Sequence, residues 1–175
     1  MSRFLVAGGA GFLGAAVVRQ LLGAGEDVVL LDTFDDAGEG RALKEERLAS
    51  FGRHPRLTTV RGDGTESDFL ETVLSEHRPS TVVNAMRLPL DSKGLGPLVA
   101  TSRQAGIGLL VHLSDAALYG PREPGARARE DEPLEPGEDR DLLAKAVEEE
   151  TVLDSALPFV ILRVFVAAGP GSRGP

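Results

Sequence analysis

Three regularly spaced glycines, Gly8, Gly11 and Gly14, follow a short apolar run and precede a segment with helical spacing. A turn of this kind between a strand and a helix gathers backbone N–H groups and the positive end of the helix dipole, which together bind a pyrophosphate. We expect Gly8 to permit the tight turn, Gly11 to let the backbone approach the phosphates, and Gly14 to allow close packing of helix and sheet. The spacing therefore predicts a dinucleotide site.

An acidic residue, Asp32, ends the second apolar run, about 20 residues beyond the glycine turn. At this position a carboxylate accepts hydrogen bonds from the adenosine ribose of a dinucleotide and repels the 2′-phosphate of NADP. The combination favours NAD as cofactor. The alternative is a set of turn glycines followed by an unrelated capping aspartate.

A second group of candidates, Asp115, Asp141 and Lys145, lies in the later part of the chain. If the two aspartates flank the one ammonium group, their proton affinities can differ, so that one serves as an acid and the other as a base. The structural alternative is that Asp141 stabilises a helix N-terminus through the helix dipole while Asp115 pairs with Lys145. Both readings remain open from the sequence.

The elements that must position these residues alternate between apolar runs and helix-like segments, which predicts a doubly wound, Rossmann-type α/β domain over residues 1–175 with a parallel sheet in strand order 3-2-1-4-5-6. The predicted strands are Phe4–Ala7, Val28–Leu31, Leu57–Val60, Thr81–Val83, Leu109–Leu113 and Phe159–Val164. The predicted helices are Gly14–Leu22, Arg41–Phe51, Ser67–His77, Leu95–Ala105 and Asp141–Leu153.

Two polar segments interrupt or border this pattern. Residues 121–139 are rich in proline, glycine and charge, which predicts a mobile loop, either a solvated connector or a lid over a site. The run Glu148–Glu150 is interpreted as the solvent-exposed face of the last helix. Arg163, at the end of the last strand, is expected to face a ligand phosphate or to pair with a surface acid.

Composition excludes several classes of function. A net charge of −8 without a basic cluster argues against nucleic acid as a partner. Cysteine is absent, which excludes disulfides and thiolate metal sites. The chain contains no run of about 18 apolar residues, so no membrane span is predicted. A cytoplasmic protein is expected. His54, His77 and His112 share no metal-ligand spacing, so no metal site is predicted, and His112 is expected in the core.

The chain resembles the extended short-chain dehydrogenase/reductase family, specifically the NAD-dependent sugar-nucleotide epimerases and dehydratases. The blocks that carry the resemblance are GGAGFLG (8–14), VVLLD (28–32), RGD (61–63), VVNA (82–85), LLVHLSDAALYG (109–120), AKAVEEE (144–150) and LRVFVAAGPGSRGP (162–175). The segment that follows Asp32 looks most like the UDP-glucuronate 4-epimerase branch. The resemblance implies NAD as cofactor, a nucleotide sugar or other small molecule as substrate, and either a homodimer or a partner subunit that supplies the substrate lobe expected beyond Pro175.

The resemblance also implies roles for individual residues. Asp32 would hold the adenosine ribose, Asp63 would contact the adenine, and Lys145 would hold the nicotinamide ribose. The residues that would surround the pyrophosphate are Gly8, Gly11, Phe12, Leu13 and Gly14. Those that would lie along the cofactor after the fourth strand are Asn84 and Ala85.

The sequence departs from the family at the residues that carry the chemistry. The family's Tyr-x-x-x-Lys reads Asp141-Leu-Leu-Ala-Lys145, the catalytic Ser/Thr position falls on Asp115, and the single tyrosine, Tyr119, matches a different family position. A carboxylate is a much weaker base than a phenolate, so it accepts a proton from an alcohol poorly.

Three hypotheses about function follow from these departures. The first is an NAD-binding protein that is catalytically degenerate, a pseudoenzyme or part of a split enzyme. The second is a remodelled non-redox enzyme that uses Asp115, Asp141 and Lys145 as acid and base on a small metabolite. The third is an active NAD-dependent sugar-nucleotide epimerase, an isomerase that recruits its acid/base group elsewhere.

Overall fold

The computed structural model describes residues 2–36, 40–123, 125–165 and 167 of the chain. In these residues six parallel strands form one sheet in the order β3-β2-β1-β4-β5-β6. The strands are β1 Arg3–Ala7, β2 Asp27–Asp32, β3 Leu57–Arg61, β4 Thr81–Asn84, β5 Leu109–Asp115 and β6 Phe159–Val164. The helices are α1 Phe12–Gly23, α2 Arg41–Ser50, α3 Ser67–His77, α4 Gly96–Gln104 and α5 Arg140–Leu153. The predicted Rossmann-type fold and strand order are confirmed.

Alternating strand residues build a core on each face of the sheet. On one face Leu5, Val29 and Val82 pack with apolar residues of α3, α4 and α5. On the other face Val6 and Leu30 pack with apolar residues of α1. Because every connection crosses from the end of one strand to the start of the next parallel strand, the carboxyl ends of all six strands meet at one edge of the sheet.

The strand order reverses at β1, which lies between β2 and β4. The register places Ala7 level with Leu31 on one side and with Asn84 on the other. Ligands of open α/β sheets bind outside the carboxyl ends of the strands at this reversal. We call the space above the carboxyl ends of β1 and β4 the crevice.

The edge strand β6 departs from the expectation that each strand is covered on both faces. Phe159, Val160 and Leu162 are exposed, whereas Ile161 packs against the core. The apolar composition of this strand predicted its existence and bounds correctly. It did not show that one face remains open in the described part of the chain.

The segment 121–139 contains no helix or strand among its described residues. Three contacts tie it down: Glu135 N donates to Leu118 O at 2.7 Å, Arg122 pairs with Glu132, and Arg163 Nη1 donates to Glu130 O at 3.4 Å. Its mobility and its role as a lid stay predictions. Just before it, residues 116–119 form a short 3-10 helix that the sequence pattern did not predict.

No helix in the described part of the chain is long and apolar enough to cross a membrane.

Candidate functional site

The glycine turn between β1 and α1 is held by its own backbone. The N–H groups of Gly8 and Gly9 donate to Leu31 O at 2.9 and 3.1 Å, which ties the turn to the end of β2. A Cβ added at Gly8, where φ is +77°, would lie 2.6 Å from Ala85 O, and one added at Gly14 would lie 2.1 Å from Gly8 O. Both glycines are therefore required by close backbone packing.

Gly11 is less crowded than the other two glycines. The one atom that a Cβ there would approach within 4 Å, among the described residues, is Gly8 O at 3.2 Å, a tight contact that a small shift could relieve. Its backbone is extended, with φ −66° and ψ 171°, which any residue can adopt. The absence of a side chain at Gly11 therefore leaves the backbone open to a ligand, although it is less strictly required by packing than at Gly8 or Gly14.

The N-terminus of α1 begins at this open position. Gly11 is the N-cap residue, it provides no side-chain cap, and its carbonyl accepts from Ala15 N at 2.9 Å. The N–H groups of the first helical turn have no acceptor within the helix, and they point toward the crevice together with the positive end of the dipole. An anion such as a pyrophosphate would satisfy these donors.

Asp32 is buried at the end of β2, with 6% of its surface exposed. Its Oδ2 accepts from Ala10 N and its Oδ1 from Phe34 N, both at 3.1 Å, so the carboxylate joins the glycine turn to β2. Each carboxylate oxygen has two lone pairs, so Oδ2 can accept a further hydrogen bond. The position and burial of Asp32 fit the predicted ribose anchor.

Lys44 of α2 lies against this carboxylate and was not singled out from the sequence. Its Nζ is 3.1 Å from Asp32 Oδ1 and 2.9 Å from Asp35 Oδ1, and its side chain is nearly buried. Burial alone would lower the pKa of Lys44, but the two aspartates outweigh it and raise that pKa above its usual value. An ammonium group therefore stands beside the predicted ribose position, where it can donate a hydrogen bond to a ligand hydroxyl.

Asp63 and Asn84 are engaged within the fold. Asp63 is exposed, and its Oδ1 accepts from both Thr65 N and Thr65 Oγ1 at 2.8 Å. Asn84 is fully buried; its Oδ1 accepts from Met86 N at 3.2 Å, and its Nδ2 lies 2.9 Å from His112 Nδ1. The Asn84 side chain therefore points into the core, and the expectation that the segment of Asn84 and Ala85 lies along a cofactor stays a prediction.

Ala85 lies at the crevice. Its N donates to Ala7 O at 2.8 Å, and its carbonyl lies beside Gly8. It lines the floor between β1 and β4, as its predicted role requires.

The two aspartates that the sequence resemblance aligned with the family's catalytic positions make separate local contacts. Asp115 caps the 3-10 helix, with Oδ1 accepting from Ala117 N at 2.8 Å. Asp141 lies in the first turn of α5, its side chain is 59% exposed, and it pairs with Arg87 from the loop after β4. The prediction of a helix-terminal acid at Asp141 is confirmed. The predicted pairing of Asp115 with Lys145 is wrong, because Asp115 binds a backbone N–H of its own turn.

Lys145 bridges the loop after β4, the end of β5 and its own helix. Its Nζ donates to Met86 O at 3.0 Å, to Leu113 O at 3.5 Å and to Glu148 Oε2 at 2.8 Å. Most of the side chain is buried, with 16% exposed. The lysine therefore lies at the edge of the crevice, and its predicted contact with a nicotinamide ribose stays a prediction. Its carboxylate partner, Glu148, was expected in solvent.

Glu148 and Glu149 lie on the buried face of α5, with 2% and 1% of their surfaces exposed. The interpretation of the Glu148–Glu150 run as a solvent-exposed face is wrong for these two residues. The stripe that buries them runs from Ala144 to Val152 on the same helix face. This helical spacing indicated a buried helix face in the sequence. The charge of the glutamates instead favoured the interpretation as a solvent-exposed face.

Glu149 is the centre of a side-chain network. Its carboxylate accepts from Ser114 Oγ at 2.5 Å and from Arg163 Nη2 at 2.8 Å, and Arg163 Nη1 donates to Tyr119 OH at 2.8 Å. The hydrogen bonds that Arg163 donates to Glu149 raise the pKa of Arg163, although burial opposes the shift. The alternative that Arg163 pairs with a surface acid is correct about an acidic partner and wrong about its place, because Glu149 is buried.

His112 lies fully buried between Asn84 and Glu148, with Nε2 3.6 Å from Glu148 Oε2. Burial and the charge of Lys145 lower the pKa of His112 to about 3, so the imidazole is neutral. The expected core position is confirmed. In the described ranges no three histidine, aspartate or glutamate residues gather in a geometry that could hold a metal ion.

Comparison with known proteins identifies relatives along nearly the whole chain. The profile of the NAD dependent epimerase/dehydratase family matches residues 4–175. The UDP-glucose 4-epimerase of Lacticaseibacillus casei is 31% identical over 180 residues, which cover 94% of this chain and 51% of that protein. The dTDP-glucose 4,6-dehydratase of Streptomyces griseus is 30% identical, and the match covers 77% of this chain and 44% of that protein. The chain spans about half the length of the curated relatives it matches.

Solved structures share the fold. The Bordetella bronchiseptica enzyme WbmH, in complex with NAD⁺, superposes with a TM-score of 0.84 at 26% identity, covering all of this chain and 60% of that one. The UDP-glucose 4-epimerase of Thermus thermophilus, in complex with NAD, gives a TM-score of 0.75 at 28% identity, covering 92% of this chain and 54% of that one.

Proposed function

Because the chain belongs to the NAD dependent epimerase/dehydratase family, we propose that it binds NAD in the crevice and lacks the family's phenol-based proton transfer. The observation that carries the first part is the glycine turn. Gly8 and Gly14 have no room for a side chain, whereas a Cβ at Gly11 would meet Gly8 O at 3.2 Å, and without it the N-terminus of α1 is open to an anion. The relatives crystallised with NAD support the same cofactor.

The residues at the crevice fit the parts of a dinucleotide. The turn from Gly11 to Gly14, with Phe12 and Leu13, would hold the pyrophosphate through backbone N–H groups. Asp32 and Lys44 would hold the adenosine ribose, since one can accept and the other donate a hydrogen bond. Lys145 would reach the nicotinamide ribose. When bound, NAD supplies a hydride acceptor.

The second part of the proposal concerns the proton that must leave together with the hydride. Asp141 stands where the family has its phenol, and it is exposed and paired with Arg87. Asp115 stands at the Ser/Thr position and is used as a cap. Neither aspartate contacts Lys145 through an ion pair within the described residues. These contacts favour degeneracy of the usual mechanism over a remodelled enzyme built on Asp115, Asp141 and Lys145.

The proposed second ligand is a nucleotide sugar, as the names of the relatives suggest. The crystallised WbmG enzyme of Bordetella bronchiseptica, a related fold, is in complex with NAD and UDP. An active NAD-dependent epimerase remains the alternative that these relatives favour. It predicts transient NADH absorbance and turnover with a UDP-sugar, whereas degeneracy predicts a flat trace across a panel of nucleotide sugars.

Calorimetric titration with NAD tests the first part of the proposal. The wild-type chain is expected to bind with a dissociation constant below the millimolar range. Gly11→Ala is expected to weaken binding at least tenfold, because the added methyl group enters the ligand's space while the extended backbone accepts it. Gly23→Ala, near the other end of α1 with no atom within 4 Å of the added Cβ, is the matched control and should bind like the wild type. Absence of binding by the wild type up to millimolar NAD would refute the proposal.

A further inference from the structure

Three titratable side chains meet behind the crevice, and the proposed function leaves two of them without a role. Glu148 Oε2 lies 2.8 Å from Lys145 Nζ and 3.6 Å from His112 Nε2. His112 is fully buried and Glu148 is nearly so, while Lys145 alone of the three retains some exposure. The arrangement places one group at the edge of the crevice and two behind it.

The hydrogen bonds around His112 determine where its proton lies. Asn84 Oδ1 accepts from Met86 N, so the amide Nδ2 faces His112 Nδ1 and donates to it. The proton of the neutral imidazole is therefore on Nε2, and it points toward Glu148. At 3.6 Å this contact is longer than a hydrogen bond, and among the described residues His112 Nε2 and Glu148 Oε1 have no hydrogen-bond partner.

Glu148 is therefore a buried carboxylate whose loss of hydration is only partly offset by hydrogen bonds and nearby charge. Burial raises the pKa of Glu148, and the nearby Lys145 ammonium opposes that shift without cancelling it. The other titratable neighbour that faces Glu148 is His112 on β5; Glu149, next on α5, is turned to Arg163 of β6. His112 stays neutral, so Glu148 is the group behind the crevice that can take up a proton at modest cost.

We infer that Lys145 and Glu148 form a charge-coupled pair behind the crevice, in which Glu148 takes up or releases a proton when the charge of a ligand bound beside Lys145 changes. Glu148 is thus a positioning residue that acts through Lys145, because the ammonium group keeps its carboxylate partner when Glu148 is ionised and loses it when Glu148 is protonated.

This inference differs from the acid/base roles considered for Asp115 and Asp141, and it relies on the proposed function only for the cofactor. It explains why a glutamate is buried three residues after Lys145, where an apolar residue would cost less free energy. It also explains why the ammonium group is held by two backbone carbonyls as well as by the carboxylate.

The first test follows the Glu148 proton in the protein without cofactor, by ¹³C NMR of labelled glutamate carboxyl groups. One carboxyl group is expected to titrate above the exposed glutamates and to be missing from Glu148→Gln but present in Glu150→Gln. Lys145→Met should raise its proton affinity about tenfold by removing the neighbouring charge. A signal that titrates with the exposed glutamates, or that is unchanged in Lys145→Met, would overturn the inference.

The second test counts protons released when NAD binds, by calorimetry between pH 5 and 8 in two buffers of different ionisation enthalpy. The positive nicotinamide ring favours the carboxylate form, so the wild type and Asp141→Asn should release part of a proton, and Glu148→Gln should release none. Equal release from Glu148→Gln would overturn the inference. Absence of any binding would refute the proposed function alone, and the carboxyl titration would then decide the inference by itself.

Discussion

The glycine turn after β1 and the polar network between β5, β6 and α5 lie at the same edge of one sheet, but they satisfy their polar groups in different ways. At the glycine turn the donors are backbone N–H groups: Gly8 and Gly9 donate to Leu31 O, and Ala10 donates to the Asp32 carboxylate. In the network they are made by side chains, with Glu149 accepting from Ser114 and Arg163.

This difference determines how well each kind of region tolerates substitution. A backbone site depends on φ, ψ and the absence of Cβ atoms, so a substitution at Gly8 or Gly14 disrupts the fold itself. A side-chain site can exchange one residue type for another as long as charges and hydrogen bonds remain paired. The exposed Asp141, which pairs with Arg87, is therefore expected to tolerate substitution without loss of the fold.

The largest effect on stability is expected from breaking the side-chain network. Glu149→Ala would leave the mostly buried Arg163 guanidinium and Ser114 without their acceptor, so the free energy of unfolding should fall by about 3–5 kcal/mol. Urea denaturation measures this change. Glu150→Ala, on the exposed face of the same helix, should change it by less than about 0.5 kcal/mol. Equal effects of the two variants would show that the network contributes nothing to stability.

A smaller loss is expected at the backbone site. Gly14→Ala places a methyl group 2.1 Å from Gly8 O, and relief of that clash should cost about 1–3 kcal/mol of unfolding free energy. Gly23→Ala should stabilise the chain by about 0.5–1 kcal/mol, because alanine favours the helix and its Cβ meets no atom within 4 Å. If Gly14→Ala were as stable as the wild type, the turn would be looser than described.

The pH dependence of stability also distinguishes the two regions, because the glycine turn has no titratable group beside it apart from Asp32 and Lys44. The pKa of His112 is lowered to about 3 in the folded state, so below pH 6.5 the unfolded chain binds a proton that the folded chain does not. The free energy of unfolding should fall by about 2 kcal/mol between pH 7 and pH 5 from this residue. Glu148, whose pKa is raised, acts in the opposite sense, losing stability as pH rises above about 4.5.

Denaturation of His112→Gln at several pH values isolates the histidine contribution. The acid-dependent loss between pH 7 and pH 5 should shrink in this variant and persist in His77→Gln, which alters a histidine that lies only partly buried on α3. An unchanged slope in His112→Gln would contradict the burial of a neutral imidazole beside Glu148.

The smallest effect on the free energy of unfolding is expected from a substitution of Asp141. Asp141 and Arg87 form an exposed pair, so Asp141→Asn should change the free energy of unfolding by less than about 1 kcal/mol, including the loss of the helix-dipole contribution. Thermal denaturation at low and high salt measures it. A loss as large as that of Glu149→Ala would mean that Asp141 belongs to the buried network.

The sequence predicted the fold well because its signals are local. Apolar runs marked all six strands, with bounds that differ from the structure by two residues at most, and the crossover rule then determined their order. The glycine turn and the position of Asp32 were predicted for the same reason. Each depends on residues that are close together in the sequence.

The partners of charged side chains could not be predicted in the same way. Lys145 binds Glu148, and Asp115 binds its own turn, because the register of α5 on β5 decides which groups meet. Lys44 approaches Asp32 from a helix whose packing the sequence does not specify. Burial of Glu148 and Glu149 was indicated by the stripe from Ala144 to Val152, but a run of three glutamates is more typical of a solvent-exposed face.

The central claim is that a nicotinamide dinucleotide occupies the crevice. The most direct measurement is mass spectrometry of the small molecules released when the freshly purified protein is denatured, after incubation with NAD and removal of the unbound excess. We predict that NAD is recovered in proportion to the protein from the wild type and is lost from Gly11→Ala while this variant remains folded. Recovery of no nucleotide from a folded wild-type chain would contradict the account and leave the glycine turn as a packing feature of the fold.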